Sequence, residues 1–212
     1  GALANQGVLA KTAAILRVED MNGRILYEHR PAQTRAVDAS YAYVLTSLLE
    51  SVFEPGGTAH RVADRIHRPV AGKTGTTNSD AWMVGFTPEL SVAVWVGRDK
   101  GGGLTSVESH KAAPIFADFL ETALEPVPPK IFPVPDGIVS LYIDPATGLI
   151  ATDACPDSRL EVFVRGTEPV EFCDEHNGGV PEEEPFDGFG EDLHEAEKEK
   201  SWWEAFKRWW GL

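Results

Sequence analysis

The residues best suited to chemistry lie in one short run, Lys73-Thr74-Gly75-Thr76-Thr77. A lysine and several hydroxyls beside a glycine suit an anionic peptide substrate that lies close to the backbone. Side chains alternate along a strand, so Thr74 and Thr76 should face one way and Lys73 and Gly75 the other. Both hydroxyls could then reach one carboxylate, while Gly75 would leave space for another element to pack. Taken alone, the run also fits an ordinary strand with a surface lysine.

A three-stranded meander is predicted to position this run. The first strand spans residues 69–77 and enters a polar turn at residues 78–80. Two apolar strands follow at residues 81–86 and 90–97. Their connections are too short for a parallel crossover, so neighbouring strands must be antiparallel.

A hairpin and two helices are predicted around the meander. Strands at residues 13–19 and 24–28 flank Asn22-Gly23, a strong hairpin signal because both residues tolerate positive φ. Apolar residues at helical spacing predict one helix from Tyr41 to Phe53. A second helix starts near Pro114 and is expected to bury Ile115, Phe116, Phe119, Leu120 and Ala123. This order predicts an α+β fold in which an antiparallel sheet is packed with helices.

The surroundings of the lysine run resemble one protein family. K-T-G, together with S-x-x-K and S-D-N, is the signature of β-lactamases and penicillin-binding proteins. Residues 70–77 (VAGKTGTT), 80–88 (DAWMVGFTP) and 94–97 (VWVG) closely resemble the end of the transpeptidase domain in class A, bifunctional penicillin-binding proteins. Residues 2–7, 45–52 and 166–169 (GTEP), with Cys173, also look like that family. The resemblance covers most of residues 1–177.

The resemblance implies a fold, a reaction and roles for individual residues. The fold would be part of the penicillin-binding, β-lactamase-like transpeptidase fold, and the parent would be a serine D,D-transpeptidase that cross-links peptidoglycan. Lys73 would supply positive potential and help proton transfer. Thr74 and Thr76 would hold the carboxylate of a D-alanyl-D-alanine stem peptide or a β-lactam, on a substrate strand that includes Gly75 and Thr77. The backbone N–H of Thr76 would be an oxyanion donor. No cofactor or metal ion is expected.

The sequence departs from the family signature in its serines. None of them has a lysine three positions later or an asparagine two positions later. We therefore expect the nucleophile in a missing N-terminal part of the same protein, which would also anchor it at the outer face of the bacterial cytoplasmic membrane. The chain alone should be inactive. The alternative is a non-catalytic module that binds peptidoglycan or a cell-wall partner. A β-lactamase or sensor domain fits less well.

Composition divides the chain into five segments. Residues 1–125 would form the C-terminal part of the transpeptidase domain, and residues 126–137 a stiff Pro-rich linker. Residues 138–177 would be a small β appendage, with strands at 139–143 and 161–164 and a turn at 144–148. An acidic, disordered linker is expected at residues 178–200 and a Trp-rich amphipathic helix at 201–212.

The two cysteines, Cys155 and Cys173, allow three interpretations. A disulfide is favoured if the protein works outside the cytoplasm. A zinc site with His176 is the weaker alternative, because only three plausible ligands are nearby and their spacing matches no usual zinc pattern. Two unpaired thiols are the third.

The net charge of −14 argues against nucleic acid as a partner, because phosphate binding requires a basic surface. Residues 178–200 carry nine acidic residues against two lysines, so half of that charge belongs to one segment. The final helix has Lys207 and Arg208 beside an aromatic face, which favours contact with an anionic membrane surface. Docking of that face onto the domain is the alternative. The face comprises Trp202, Trp203, Phe206, Trp209 and Trp210.

Overall fold

The structure, a computed structural model, describes residues 1–100 and 102–176. The predicted acidic linker and Trp-rich helix, with the predicted membrane contacts Trp202, Trp203, Phe206, Trp209 and Trp210, lie outside the described residues. In the part that is described, no helix is both long and apolar enough to cross a bilayer.

Four short strands open the chain and form two separate antiparallel pairs. β1 (Val8–Ala10) pairs with β4 (Gln33–Arg35), and β2 (Arg17–Glu19) pairs with β3 (Ile25–Glu28). The β2–β3 hairpin confirms the prediction, although β2 begins at Arg17 rather than at residue 13. In its turn only Gly23 takes positive φ, at 78°. The β1–β4 pair was not predicted, because three-residue strands carry almost no periodicity.

The first helix, α1 (Ala39–Glu50), confirms the helix predicted from Tyr41. Its α-helical part ends three residues before the predicted end, and Ser51–Phe53 continue as a 3-10 turn. Only Ala42 and Thr46 of α1 are buried. The Thr46 hydroxyl donates to the Ala42 carbonyl at 2.8 Å, which satisfies this buried polar group inside its own helix. A second 3-10 segment, His60–Arg65, leads toward the main sheet.

The predicted meander is present as three antiparallel strands, β5 (Ala71–Thr76), β6 (Asp80–Phe86) and β7 (Ser91–Gly97). Their order is β5-β6-β7, with Thr74 opposite Met83 and Met83 opposite Val94. Alternate residues of β6 are buried, so one face of the sheet carries the core and the other is exposed.

The second helix, α2 (Ala112–Leu124), covers the buried face of this sheet. Phe116 and Leu120 are buried, as predicted. The rest of the predicted apolar stripe was wrong, since Ile115 and Phe119 are about half exposed and Ala123 is exposed as well. The helix instead turns its small residues toward the sheet, because alanines let the helix approach closely. The buried face consists of Ala112, Ala113, Phe116, Ala117, Leu120 and Leu124.

The last two strands, β8 (Ile138–Ile143) and β9 (Arg159–Val164), form an antiparallel pair of their own. Both include the predicted strands and are slightly longer. Ile150 bridges to Ile143 and to Phe172, which draws the end of the described chain onto this pair. Arg159 contacts Glu54 at 2.9 Å and thereby links the pair to the first part of the chain. The whole arrangement confirms the predicted α+β class.

Arg68 fixes the start of β5 to two other elements. Its side chain is 6% exposed and donates to the carbonyls of Leu124, at 2.9 Å, and Val127, at 3.2 Å, where α2 ends. The carboxylate of Glu89, in the β6–β7 turn, lies 3.8 Å from the guanidinium. Glu89 also accepts the Lys130 backbone N–H at 2.7 Å. A buried charge is tolerated only when it has such partners.

Removing this buried cation should destabilise the fold strongly. We expect Arg68→Ala to lower the free energy of unfolding by about 3 to 5 kcal/mol, because Glu89 is left buried without its counter-charge. The exposed Arg65, which pairs with Asp118 at 3.1 Å, is the matched control. Arg65→Ala should cost less than about 1 kcal/mol. Equal losses in urea unfolding of both variants would contradict this account.

Candidate functional site

The predicted site run lies on β5, whose outer edge is open. Among the described strands β5 pairs with β6 alone. The Thr77 N–H donates to the Asp80 carbonyl at 2.8 Å, so Thr77 faces β6. Along an antiparallel ladder, residues that bond to the partner alternate with residues that do not. The register is unbroken, so Thr77, Gly75 and Lys73 bond to β6. Thr76 and Thr74 therefore direct their N–H and C=O groups to the open edge.

Side chains at this edge differ in their partners. Lys73 is exposed, and its ammonium donates to the Thr74 carbonyl at 2.7 Å. The Thr74 hydroxyl is half-buried and shares a 2.7 Å hydrogen bond with the Thr58 hydroxyl, which orients it. Thr76 is exposed. The strand thus brings together a cation, two hydroxyls and two outward N–H groups, a set suited to an anionic ligand. Thr58 was not singled out in the sequence, because it is sixteen positions away.

The turn after β5 is held by Asp80. Its carboxylate accepts hydrogen bonds from the Ser79 hydroxyl at 2.7 Å, the Trp95 ring N–H at 2.9 Å and the Thr77 hydroxyl at 3.1 Å. These hydrogen bonds lower the pKa of Asp80, and the bond from Ser79 has the largest effect. Thr77 was predicted to bind substrate together with Thr76, but its hydroxyl is used inside this turn. We therefore regard Thr77 as a residue that positions β5, and substrate contact by Thr77 stays a prediction.

The glycines of the sheet differ in how closely other atoms approach them. A Cβ on Gly85 would lie 2.6 Å from the Phe116 ring, and one on Gly72 would lie 2.8 Å from Met83. These two glycines face each other across β5 and β6 and let α2 pack close to the sheet. A Cβ on Gly75 would meet only Trp82, at an ordinary 3.7 Å. The space beside Gly75 is therefore open within the described chain.

The site is a surface rather than a closed cavity. Trp82, Val84 and Trp95 lie on the same sheet face as Lys73 and Gly75, and each is more than 40% exposed. The Trp82 and Trp95 rings lie next to each other, with their centroids 6.3 Å apart, so the exposed apolar side chains form one cluster on this face. A groove of about 320 Å³ lies between α1 and residues 130–135, and its lining includes none of residues 73–77.

The two cysteines lie together in the β8–β9 unit as thiols, so the predicted disulfide is not formed in this structure. The bridge stays a prediction. His176 Nδ1 is 3.2 Å from the Cys173 sulfur, as the zinc alternative required. The structure adds a residue that sequence reasoning had placed only in a turn. Asp144 Oδ2 lies 3.1 Å from the Cys173 sulfur and 3.2 Å from His176 Nδ1.

Glu50, the last residue of α1, was also missed in the sequence. Burial, and secondly the Glu54 carboxylate, raise the pKa of Glu50 to about 8. Shifts of this kind are common at functional sites. Glu50, however, lines a cleft of about 240 Å³ that contains none of residues 73–77. We therefore assign it an effect on stability rather than on the chemistry of β5.

Two protein-family models match the chain. The penicillin binding protein transpeptidase domain matches residues 1–121. The C-terminal domain of penicillin-binding protein 1A matches residues 134–178. The first match covers β5 with all of residues 73–77, and the second covers both cysteines.

Individual proteins agree with the family models. The chain is 36% identical over 211 residues to penicillin-binding protein 2D of Bacillus subtilis, covering 96% of this chain and 30% of that protein. It is 34% identical to penicillin-binding protein 1A of Clostridium tetani, covering 84% of this chain and 24% of that protein. The fold is similar to the crystal structure of penicillin-binding protein 1A from Haemophilus influenzae, with a TM-score of 0.68 and 28% identity over 81% of this chain and 31% of that one. The chain thus spans less than a third of these relatives.

Loss of the Asp80 charge should loosen the end of β5. Asp80→Asn replaces one carboxylate oxygen by an amide group, so the bonds on one side of the side chain are lost. We expect faster amide hydrogen exchange at Thr77, Ser79 and Asp80, whose N–H groups are bonded within the turn, and a lower thermal midpoint. Asp99→Asn, at an exposed position in the next loop, should leave both unchanged. If exchange at these three amides stays at the wild-type rate, Asp80 does not hold this turn.

Glu50 should make stability depend on pH near neutrality. Its pKa is raised from 4.5 to about 8, so the folded state keeps a proton that the unfolded state releases. The stabilising contribution is fully present below pH 4.5 and is lost as the pH rises toward about 8. Glu50→Gln should flatten the profile of urea midpoint against pH in this window. An unchanged slope in the variant would contradict the assignment.

Proposed function

Because the chain belongs to the penicillin-binding protein transpeptidase family, we propose that it serves peptidoglycan cross-linking as the substrate-docking part of a serine D,D-transpeptidase. The chain covers only 30% and 24% of these relatives, so the complete activity is assigned to a longer parent protein. In that parent the chain would supply β5 and its Lys73-Thr74-Gly75 motif. We place the active site outside the cytoplasmic membrane, on its outer face.

The open edge of β5 is the observation that carries this proposal. An extended peptide can add to an exposed sheet edge through main-chain hydrogen bonds. Thr74 and Thr76 direct N–H and C=O groups to that edge, and the space beside Gly75 admits a close approach of the ligand backbone. A stem peptide ending in D-alanyl-D-alanine has both the extended shape and the terminal carboxylate that this edge suits. A β-lactam presents the same carboxylate.

Three groups on β5 would contact the substrate. The Thr74 and Thr76 hydroxyls, two residues apart on one face, would donate to the terminal carboxylate. The Lys73 ammonium would add positive potential and hold a proton within the hydroxyl network. The outward N–H of Thr76 would donate to the carbonyl oxygen on which negative charge develops in the transition state.

The nucleophile would come from upstream sequence of the same protein, because no serine of these 212 residues belongs to an S-x-x-K motif. Its hydroxyl oxygen would attack the carbonyl carbon of the D-alanyl-D-alanine amide. The C–N bond would then break, and D-alanine would leave after its nitrogen gains a proton. The amine of a second stem peptide would attack the resulting ester, which restores the serine and forms the cross-link.

A second candidate is a module that binds peptidoglycan or a cell-wall partner without chemistry. The absence of an S-x-x-K serine from the sequence favours it as the function of this chain on its own. The two candidates differ in one respect, because only the transpeptidase requires a parent that becomes covalently labelled by penicillin.

The Thr76 hydroxyl provides the test, made in a parent that contains the complete transpeptidase domain. Thr76→Val should slow acylation by fluorescent penicillin about tenfold or more, since a hydrogen bond to a charged group contributes about 1.5 to 3 kcal/mol. The thermal midpoint should stay near the wild-type value, because Thr76 is exposed.

The matched control is Thr122→Val on α2. Within the described chain, the Thr122 hydroxyl donates to the Asp118 carbonyl of its own helix, at 2.8 Å. It should acylate at the wild-type rate. The 212-residue chain alone should remain unlabelled. Wild-type acylation by Thr76→Val would refute the role of its hydroxyl, and a parent that is never labelled would favour the binding module.

A further inference from the structure

Four metal-binding side chains converge in the β8–β9 unit. They are Asp144, Cys155, Cys173 and His176, and their ligand atoms all lie within 4.8 Å of one another. Three of the separations are shorter, with Asp144 Oδ2, the Cys173 sulfur and His176 Nδ1 mutually 3.1 to 3.2 Å apart. Cys173 and Asp144 are buried, with 0% and 1% of their surface exposed.

From this geometry we propose that the four residues bind one Zn²⁺ ion. Zinc–ligand bonds are about 2.3 Å to sulfur and about 2.0 to 2.2 Å to nitrogen or oxygen. A tetrahedron with such bonds has edges of roughly 3.3 to 3.8 Å. The three separations among Asp144, Cys173 and His176 are a few tenths of an ångström shorter than these edges. The Cys155 sulfur lies within 4.8 Å of the other ligand atoms, so it would move by up to about 1 Å to complete the tetrahedron.

The ligands are already held in place by neighbouring groups. Asp144 Oδ1 accepts the Ala146 N–H at 3.1 Å, and Oδ2 accepts the Thr147 hydroxyl at 2.8 Å. The Thr152 N–H donates to the Cys155 sulfur at 3.3 Å, a contact that favours a thiolate. Secondary contacts of this kind orient the ligands of metal sites.

Backbone hydrogen bonds hold the segments that carry Asp144 and Cys173 together. Ile150 joins them, since its carbonyl accepts the Cys173 N–H at 2.8 Å and its N–H donates to the Glu171 carbonyl at 3.0 Å. Cys155 lies in a local turn in which its N–H donates to the Thr152 carbonyl at 3.0 Å. The Asp144 N–H donates to Leu149 at 2.9 Å. The ligands therefore converge through the fold of this unit, although Asp144 and Cys173 are 29 positions apart.

The composition of the unit explains why a metal would stabilise it. Among its described residues, from 138 to 176, the buried hydrophobic side chains are only Ile143 and Cys173. A unit of about 40 residues with so small a core usually needs a disulfide or a metal. A disulfide would use only the two sulfurs and give no role to the convergence of Asp144 and His176 on them. A zinc ion uses all four groups.

The ligand set points to zinc and to a structural site. Thiolates together with imidazole suit Zn²⁺, whereas Mg²⁺ and Ca²⁺ take oxygen ligands. Four protein ligands fill the tetrahedron and leave no position for a reacting water. The proposed ion would therefore hold the β8–β9 unit together and would take no part in chemistry at β5.

The test uses the full 212-residue chain, reduced and freed of metal, then titrated with Zn²⁺ and with Co²⁺. We expect about one Zn²⁺ per chain, a higher thermal midpoint with Zn²⁺ but not with Mg²⁺, and the visible absorption of tetrahedral cobalt bound to thiolates. Cys155→Ser and His176→Asn, at partly exposed positions, should each weaken zinc binding at least tenfold. Circular dichroism would establish that these variants remain folded.

Two variants serve as controls. Asp174→Asn, beside Cys173 but exposed, and His194→Gln, in the acidic segment, should bind zinc like the wild type. The proposal is overturned if the wild type takes up no stoichiometric zinc, or if folded His176→Asn binds it equally well. It is also overturned if the protein purified without reductant has a Cys155–Cys173 disulfide and, once reduced, still binds no zinc.

Discussion

The buried guanidinium of Arg68 lies where three parts of the chain meet, three residues before the strand that carries the candidate site. It donates to the carbonyl of Leu124, the last residue of α2, and to that of Val127 just beyond it, and it lies beside Glu89 in the β6–β7 turn. Because a buried charge must keep its partners, the start of β5 cannot move without disturbing the helix end and that turn. The Asp80 turn holds the other end of the strand. β5 is thus fixed at both ends and along β6, which leaves its outer edge available.

An open edge is normally a hazard, because it invites pairing with other chains. β5 has neither a bulge nor a proline to blunt it, and its register with β6 is unbroken. Lys73 supplies one charge at this edge, and that charge is also what would attract a carboxylate. The adjoining face, with Trp82, Val84 and Trp95, is exposed as well. Both features fit a strand that is completed by a ligand and by further protein, as proposed for the longer parent.

The sequence predicted the elements that carry a clear local signal. Both helices followed from helical spacing of apolar residues, the meander from apolar runs with short connections, and the β2–β3 hairpin from its Asn22-Gly23 turn. The buried face of α2 was predicted only in part. Phe116 and Leu120 were predicted correctly, whereas hydrophobicity alone wrongly favoured Ile115 and Phe119. The close packing of Phe116 on Gly85 could not be foreseen, because it depends on a contact between distant elements. Lys73, Thr74 and Thr76 could be proposed from the sequence because they lie within four consecutive residues. Thr58 and Asp144 were missed because their partners are 16 and 29 positions away, a distance that only the folded chain bridges.

A crystal structure of the parent protein acylated by penicillin would test the role of β5 most directly. The account predicts the penicillin carboxylate within about 2.7 to 3.2 Å of the Thr74 and Thr76 hydroxyls, and the acyl carbonyl oxygen at the Thr76 N–H. The outer edge of β5 would then be occupied by the ligand. A carboxylate bound entirely by other elements, with that edge paired to another strand of the protein, would contradict it.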